Sequence, residues 1–165
     1  MITAVTNQEA IKTTAALAHK IWNQHYVPII GQAQVDYMVG KFQSEEAIEE
    51  QLNKGYRYFL IHHEELACGY LALVPDAENH RLMISKIYVD AQFRGLHLGS
   101  KLLDFAVEEG LKGTFTTLWL TVNKHNSNSI AWYKKRGFAI KEALVMDIGN
   151  GYVMDDYVME LPLKH

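Results

Sequence analysis

The segment Ile87-Tyr88-Val89-Asp90-Ala91-Gln92-Phe93-Arg94-Gly95-Leu96-His97-Leu98-Gly99-Ser100 decides how this chain folds. Ile87 and Val89 are β-branched and alternate with Tyr88, the period of a strand, whereas Ser100-Lys101-Leu102-Leu103-Asp104-Phe105-Ala106-Val107 returns its apolar residues at helical spacing. A strand therefore passes into a helix within a few residues. Gly95 and Gly99 allow backbone angles that other residues resist, and the unsatisfied N–H groups of the helix's first turn then point at whatever lies above them. An anion suits that spot, drawn also by the helix dipole, and Arg94 adds a planar cationic fork matched to phosphate oxygens. An ordinary strand-to-helix turn with a solvated arginine has the same signature, so this segment alone leaves a phosphate cradle and a purely structural turn both open.

Working upstream, residues 56–62, 66–74 and 82–89 read as three strands, joined by the turn His63-Glu64-Glu65 and the loop 75–80. Connections this short favour antiparallel neighbours. Before them the period is helical. A short strand at 1–5 leads into Thr6-Asn7-Gln8-Glu9, a capping box ahead of a helix whose buried stripe is Ile11, Ala15, Ala18, Ile21 and Trp22. That helix ends near Tyr26, because Pro28 cannot continue it. Residues 34–42 and 45–53 form two further helical pieces, the second capped by Ser44 and stopped by Gly55.

Downstream of the glycine turn, a helix runs to about Leu111, a strand covers 114–122, and a helix covers 127–136 and stops at Gly137. Strands at 138–148 and 152–161 flank Gly149-Asn150-Gly151, in which Asn150-Gly151 favours a tight hairpin. The order β, helices, βββ, α, β, α, ββ mixes a meander with crossover units, which predicts an α/β (α+β) class with a mixed central sheet.

With 165 residues, 48% hydrophobic and 21% charged, the chain is expected to form one domain, 1–165, around one core. A net charge of −3 and the lack of a basic run speak against nucleic acid as a partner. The single Cys68 lies in an apolar run and excludes an intramolecular disulfide, which fits a reducing, cytoplasmic setting. The N-terminus carries no signal pattern and no 18 apolar residues run together, so a soluble protein with no membrane partner is expected. The eight histidines show no metal-ligand spacing, and no metal is expected.

A second constellation follows the strand at 114–122: Asn123-Lys124-His125-Asn126-Ser127-Asn128-Ser129-Ile130-Ala131-Trp132-Tyr133-Lys134-Lys135-Arg136-Gly137-Phe138. Asn126 stands at the mouth of a helix, Ser129 lies in its first turn, and Tyr133 lies four residues further on the same face. At this point the chain resembles the GNAT superfamily of N-acetyltransferases. The family's Arg/Gln-x-x-Gly-x-Gly/Ala motif is met by Arg94-Gly95-Leu96-His97-Leu98-Gly99, with His97 in place of the middle glycine. The family's Asn-x-x-Ala/Ser-x-x-x-Tyr and Gly-Phe are met by Asn126, Ser129, Tyr133, Gly137 and Phe138. Two motifs at their expected strand-to-helix junctions are far more specific than either alone.

The resemblance implies a mostly antiparallel central sheet of 6–7 strands flanked by helices, in the order β-α-α-β-β-β-α-β-α-β-β. It implies acetyl-CoA as co-substrate, with its pantetheine arm entering between the splayed fourth and fifth strands against Ile87, Tyr88 and Val89. The pyrophosphate would rest on Arg94, Gly95, Leu96, His97, Leu98, Gly99 and Ser100, with Asn126 and Ser129 holding the arm from the other side. Tyr133 would protonate the leaving thiolate. The acceptor would be a primary amine of a small molecule or peptide, bound by the helical first third, and a homodimer through the C-terminal strands would follow.

An ammonium of pKa about 10.4 presents an attacking lone pair in only about one molecule in 10³ at neutral pH, so a base or water chain must remove its proton. Glu64, Glu65, Asp90 and Asn123 are the candidates, and the sequence does not choose among them. Trp22, Tyr26, Ile29, Ile30, Gln34, Tyr37 and Met38 form the acceptor-side set. Trp22 and Met38 suit helix packing, whereas Tyr26, Gln34 and Tyr37 are taken as substrate contacts because each has a polar tip. Ser44-Glu45-Glu46-Ala47-Ile48-Glu49-Glu50 is locally acidic, reads first as a solvated helix face, and slightly favours a polyamine-like acceptor. A non-catalytic acyl-CoA sensor or interaction module on the same fold is the competing reading, carried by His97.

Overall fold

Asn7 opens the first long helix, one residue later than the capping-box pattern places it. In the computed structural model, which describes Met1–His165, Asn7 Oδ1 accepts from the Ala10 N–H at 2.8 Å, so the Thr6–Glu9 box is not the cap. Asparagine outranks threonine at this position, and the chain uses the stronger capper. Chain order is β1 Ile2–Ala4, α1 Gln8–His25, α2 Val27–Ile30, α3 Gln32–Phe42, α4 Glu45–Asn53, β2 Arg57–His63, β3 Leu66–Asp76 and β4 Arg81–Val89. A 3₁₀ turn Ala91–Phe93 follows, then α5 Leu98–Lys112, β5 Thr117–Asn123, α6 Ser127–Lys135, β6 Ala139–Gly149 and β7 Tyr152–Pro162. The seven strands form a mixed, mostly antiparallel sheet ordered β1-β2-β3-β4-β5-β7-β6. No helix is long and apolar enough to cross a membrane.

The chain divides into two compact units, and the first contains Met1–Pro75 with Ile84–Ala106. β1 pairs antiparallel with β2, and β2 with β3, the second ladder shifting by a bulge at Ile61/His62. At Gly69, on β3, a Cβ would stand 2.7 Å from Tyr88 O and 2.9 Å from Ile61 Cγ2, so only glycine permits this approach. Ile11, Leu17, Ala18 and Ile21 of α1 pack with Ile48 of α4 on Tyr58, Leu60, Tyr70 and Ala72 of the strands. Removing that apolar surface from water is the main stabilising term here.

The second unit contains Asp76–Met83 with Val107–His165. Its β4 residues Arg81, Leu82 and Met83 pair parallel with Thr117, Leu118 and Trp119 of β5, and this ladder extends no further. β5 and β6 each pair antiparallel with β7. The hairpin turn has Asn150 at φ 55° and Gly151 at φ 79°, the two left-handed residues that a type I′ turn requires. Strand β5 begins at Thr117, three residues later than the sequence reading. Residues Gly113 to Thr116 make the exit from α5, with Thr114 at φ 61° and the Thr116 N–H bonded to His80 O at 2.8 Å.

Candidate active site

In the first unit the end of β4 is anchored before the glycine turn begins. Asp90 is 2% exposed, and its carboxylate lies 2.7 Å from Lys20 Nζ on α1. Asp90 Oδ1 accepts from the Gln92 N–H at 3.0 Å and from Gln24 Nε2 at 3.4 Å, while Gln24 Oε1 accepts from the Ala91 N–H at 3.2 Å. Burial pushes this carboxyl up, but the Lys20 ammonium and the two amides hold it below the ordinary carboxylate range.

Arg94, Gly95, Leu96 and His97 then form an exposed turn, with Gly95 at φ 85° and His97 at φ 57°. His97 thus occupies the left-handed backbone region open to the glycine whose place it takes, at a strain of about 1–2 kcal/mol. It also opens α5, since its carbonyl accepts from the Lys101 N–H at 3.1 Å. The amides of Leu98, Gly99 and Ser100 precede that first helical bond, so the helix itself offers them no partner. His25, at the end of α1, is pulled down from its ordinary value by burial and then by the Arg94 charge. Ile87, Tyr88 and Val89 are half-buried, and the backbone of Ile87 and Val89 lies beyond the last β4–β5 pair.

The acceptor-side candidates also lie in this unit. Tyr26 and Tyr88 bring their hydroxyls to 3.3 Å, and the Tyr26 ring lies 4.3 Å from that of Trp22. Trp22 Nε1 donates to Tyr70 OH, which donates to Gln43 Oε1 at 3.0 Å. Tyr26 is therefore joined to a cofactor candidate. Tyr37 OH instead accepts from Lys41 Nζ on its own helix at 3.2 Å, and Gln34 is half-buried on α3. Trp22 and Met38 are core residues, 4% and 5% exposed.

In the second unit Asn126 caps α6, its Oδ1 accepting from the Ser129 N–H at 3.3 Å. Two turns into the helix, Tyr133 is 7% exposed, with its ring centroid 5.5 Å from that of Phe138. Among the base candidates, Glu64 and Glu65 sit exposed at φ 50° and 69° in the β2–β3 turn. Asp90 is clamped by Lys20, and Asn123 Oδ1 accepts from the His125 N–H at 2.8 Å.

Sequence reasoning missed two buried ionisable groups. Lys86, 5% exposed, donates to Phe42 O at 2.7 Å, to Gln51 Oε1 at 2.8 Å and to the Tyr58 hydroxyl, and burial pulls its ammonium down to about 7. Asp156 on β7 is 2% exposed. The Thr121 hydroxyl donates to its carboxyl, Oδ1 meets no donor, and burial pushes the group up to about 6. The available signal was a charged residue at an inward position of an alternating strand: Lys86 between Ile84 and Tyr88, Asp156 beside Val158. No set of three or more histidine, cysteine or acidic side chains is placed to hold a metal ion.

The chain matches the model of the acetyltransferase (GNAT) family over residues 20–138. An uncharacterized N-acetyltransferase from the pepI 3′ region of Lactobacillus delbrueckii subsp. lactis is 41% identical over 99 residues, 56% of this chain and 57% of that protein. The chain thus spans little more than half the length of this curated relative. A PaiA N-acetyltransferase from Thermoplasma acidophilum, crystallised with coenzyme A, superposes with a TM-score of 0.79 at 19% identity, covering 98% of this chain and 99% of that one. A ribosomal-protein-alanine N-acetyltransferase from Brucella melitensis superposes with a TM-score of 0.71 at 19% identity, covering 99% of each chain.

Proposed function

Because the chain belongs to the GNAT family of acetyltransferases, we propose that it transfers the acetyl group of acetyl-CoA directly to a primary amine, the whole chain acting as one catalytic domain. The observation that carries this reading is the turn from Arg94 to Ser100. Gly95 and His97, both at positive φ, lie between exposed Arg94 and the start of α5, whose first amides have no partner within the helix. Such a cluster of N–H groups and one guanidinium matches a pyrophosphate. His97 keeps the backbone geometry open to the glycine whose place it takes, which supports the cradle reading.

Ile87 and Val89, beyond the end of the β4–β5 ladder, offer backbone groups to an extended pantetheine arm in the manner of an added strand. Tyr133 then supplies the proton that the leaving thiolate requires. A Tyr133→Phe variant keeps CoA affinity and loses most of its turnover; unchanged turnover removes Tyr133 from the mechanism. Arg94→Ala weakens CoA more than a pantetheine analogue lacking phosphate, and equal losses for the two ligands count against the cradle.

The acceptor is a small or peptidic amine that reaches Tyr26, with Gln34 and Tyr37 as further contacts. Two structural neighbours at the same 19% identity bear different names, one of them specifying a ribosomal protein alanine, so the fold alone does not select the acceptor. Four exposed glutamates on α4, Glu45, Glu46, Glu49 and Glu50, favour a polycationic amine by charge. Oligomerisation is proposed through β6, the outermost strand, where Val145 and Met146 are 64% and 45% exposed. Buried, unpaired Cys68 suits a reducing cytoplasm.

A further inference from the structure

Asp156 is a carboxylate that the acid-base roles above leave unused, and its surroundings are unlike those of a structural aspartate. It lies in register with Asn123, the last residue of β5, and with Leu144 of β6. By strand alternation its side chain shares a face with Thr121 and Val158 and is opposite to Leu161. Leu161 is the residue that meets Gly137 at the end of α6, since a Cβ on Gly137 would stand 3.1 Å from Leu161 Cδ1. Asp156 therefore points away from the helical cover of β7. It is nevertheless 2% exposed, and its Oδ1 meets no donor.

Buried polar atoms are almost always paired, and the exceptions concentrate where a group is kept for chemistry. Asn123 leads through Lys124 and His125 to Asn126, the cap of the helix that carries Tyr133, so Asp156 lies at the strand end from which the proposed acid is built.

Resting on the acetyltransferase reading, we propose that Asp156 is the general base for the acceptor: Oδ1 takes a proton from the incoming primary ammonium as its nitrogen reaches the thioester. The freed lone pair forms the C–N bond while the carbonyl π electrons move to oxygen. Collapse of that oxyanion breaks the C–S bond, and the thiolate takes the Tyr133 proton. The nitrogen's second proton restores the tyrosine, and the proton on Asp156 leaves to solvent. The products are an amide, CoA thiol and one released proton.

The charged groups that act on this carboxyl are Asp155, the next residue of the strand, which raises it, and Lys124, which lowers it and is paired with Asp155 at 2.6 Å; Glu142 lies on the same face of β6. A carboxylate that titrates at about 6 rather than in its ordinary range is about a hundredfold stronger as a base, and at neutral pH it is still ionised.

The test follows CoA thiol release by wild type, Asp156→Asn and Thr121→Val from pH 5 to 9, using spermidine, a lysine peptide and an alanyl N-terminal peptide, with CoA binding measured in parallel. Expected for Asp156→Asn is a fall of about a hundredfold or more in kcat at pH 7.5 with CoA affinity unchanged. Thr121→Val removes the hydrogen bond that favours the ionised form, so the acidic limb of kcat/KM moves to higher pH, an effect a structural role does not produce. Retained kcat in Asp156→Asn, or an acidic limb that does not move in Thr121→Val, overturns the assignment. A wild type that acetylates none of these amines instead overturns the acetyltransferase reading on which it rests.

Discussion

Asp90 and Asp156 are both 2% exposed, one in each unit, and they titrate in opposite directions. Asp90 is met by the Lys20 ammonium and by the amides of Gln24 and Gln92, which hold it ionised despite burial. Asp156 receives the Thr121 hydroxyl, leaves Oδ1 without a donor, and is pushed up to about 6. Depth alone does not decide what a buried carboxylate does; the donors around it do. Asp90 is built to stay where it is, bracing α1 against the turn that precedes Arg94. Asp156 is built to exchange a proton.

The largest effect that separates them is on stability. Replacing Asp90 by alanine strands Lys20 and the Gln92 amide and costs about 3 kcal/mol at pH 7, at the low end for broken buried pairs because the Lys20 side chain is 45% exposed. Because the folded value is depressed, this contribution is present above the ordinary carboxylate range and is lost as pH falls through the folded value. Denaturant titrations of the two proteins should therefore converge in strong acid, and curves that stay parallel there would break the contrast.

Asp156→Asn has the opposite sign. With a folded value of about 6, the wild-type group favours folding fully below about pH 4 and loses that contribution as pH rises through 6. At pH 7.5 the variant is then more stable by about 2 kcal/mol, and the gain vanishes near pH 4. A higher Tm together with lost turnover is the mark of a group retained for chemistry. A lower Tm at pH 7.5 would make Asp156 a structural residue like Asp90.

The smallest effect tests the turn that Asp90 braces. His97→Gly relieves a left-handed side-chain residue and should raise stability by about 0.5–1 kcal/mol, less than the full strain because glycine loses more entropy on folding. CoA affinity should stay unchanged if backbone amides hold the phosphates. Weakened CoA binding would assign the imidazole to the phosphates instead.

Much of this is legible in the chain itself. Ile87 to Ser100 announced the strand, turn and helix, and Asn126, Ser129 and Tyr133 announced the second motif, because these features are encoded by residues close together in sequence. The Thr6 capping box shows where local reading fails: two adjacent residues competed, and Asn7 won by the stronger cap. Strand β5 began late because Gly113 to Thr116 were needed to leave α5.

The altered acidity of Asp156 and Lys86 was not legible for a different reason. Their properties come from partners far away along the chain, Thr121 for Asp156 and Phe42, Gln51 and Tyr58 for Lys86. Periodicity, caps and glycine turns determined the order of elements, and two short motifs at strand-to-helix junctions carried the resemblance to the family, since each acts over one or two turns of backbone. Which buried charge is clamped and which is left able to take a proton was decided only by tertiary structure, because burial and hydrogen bonding of a side chain depend on what other segments bring to it.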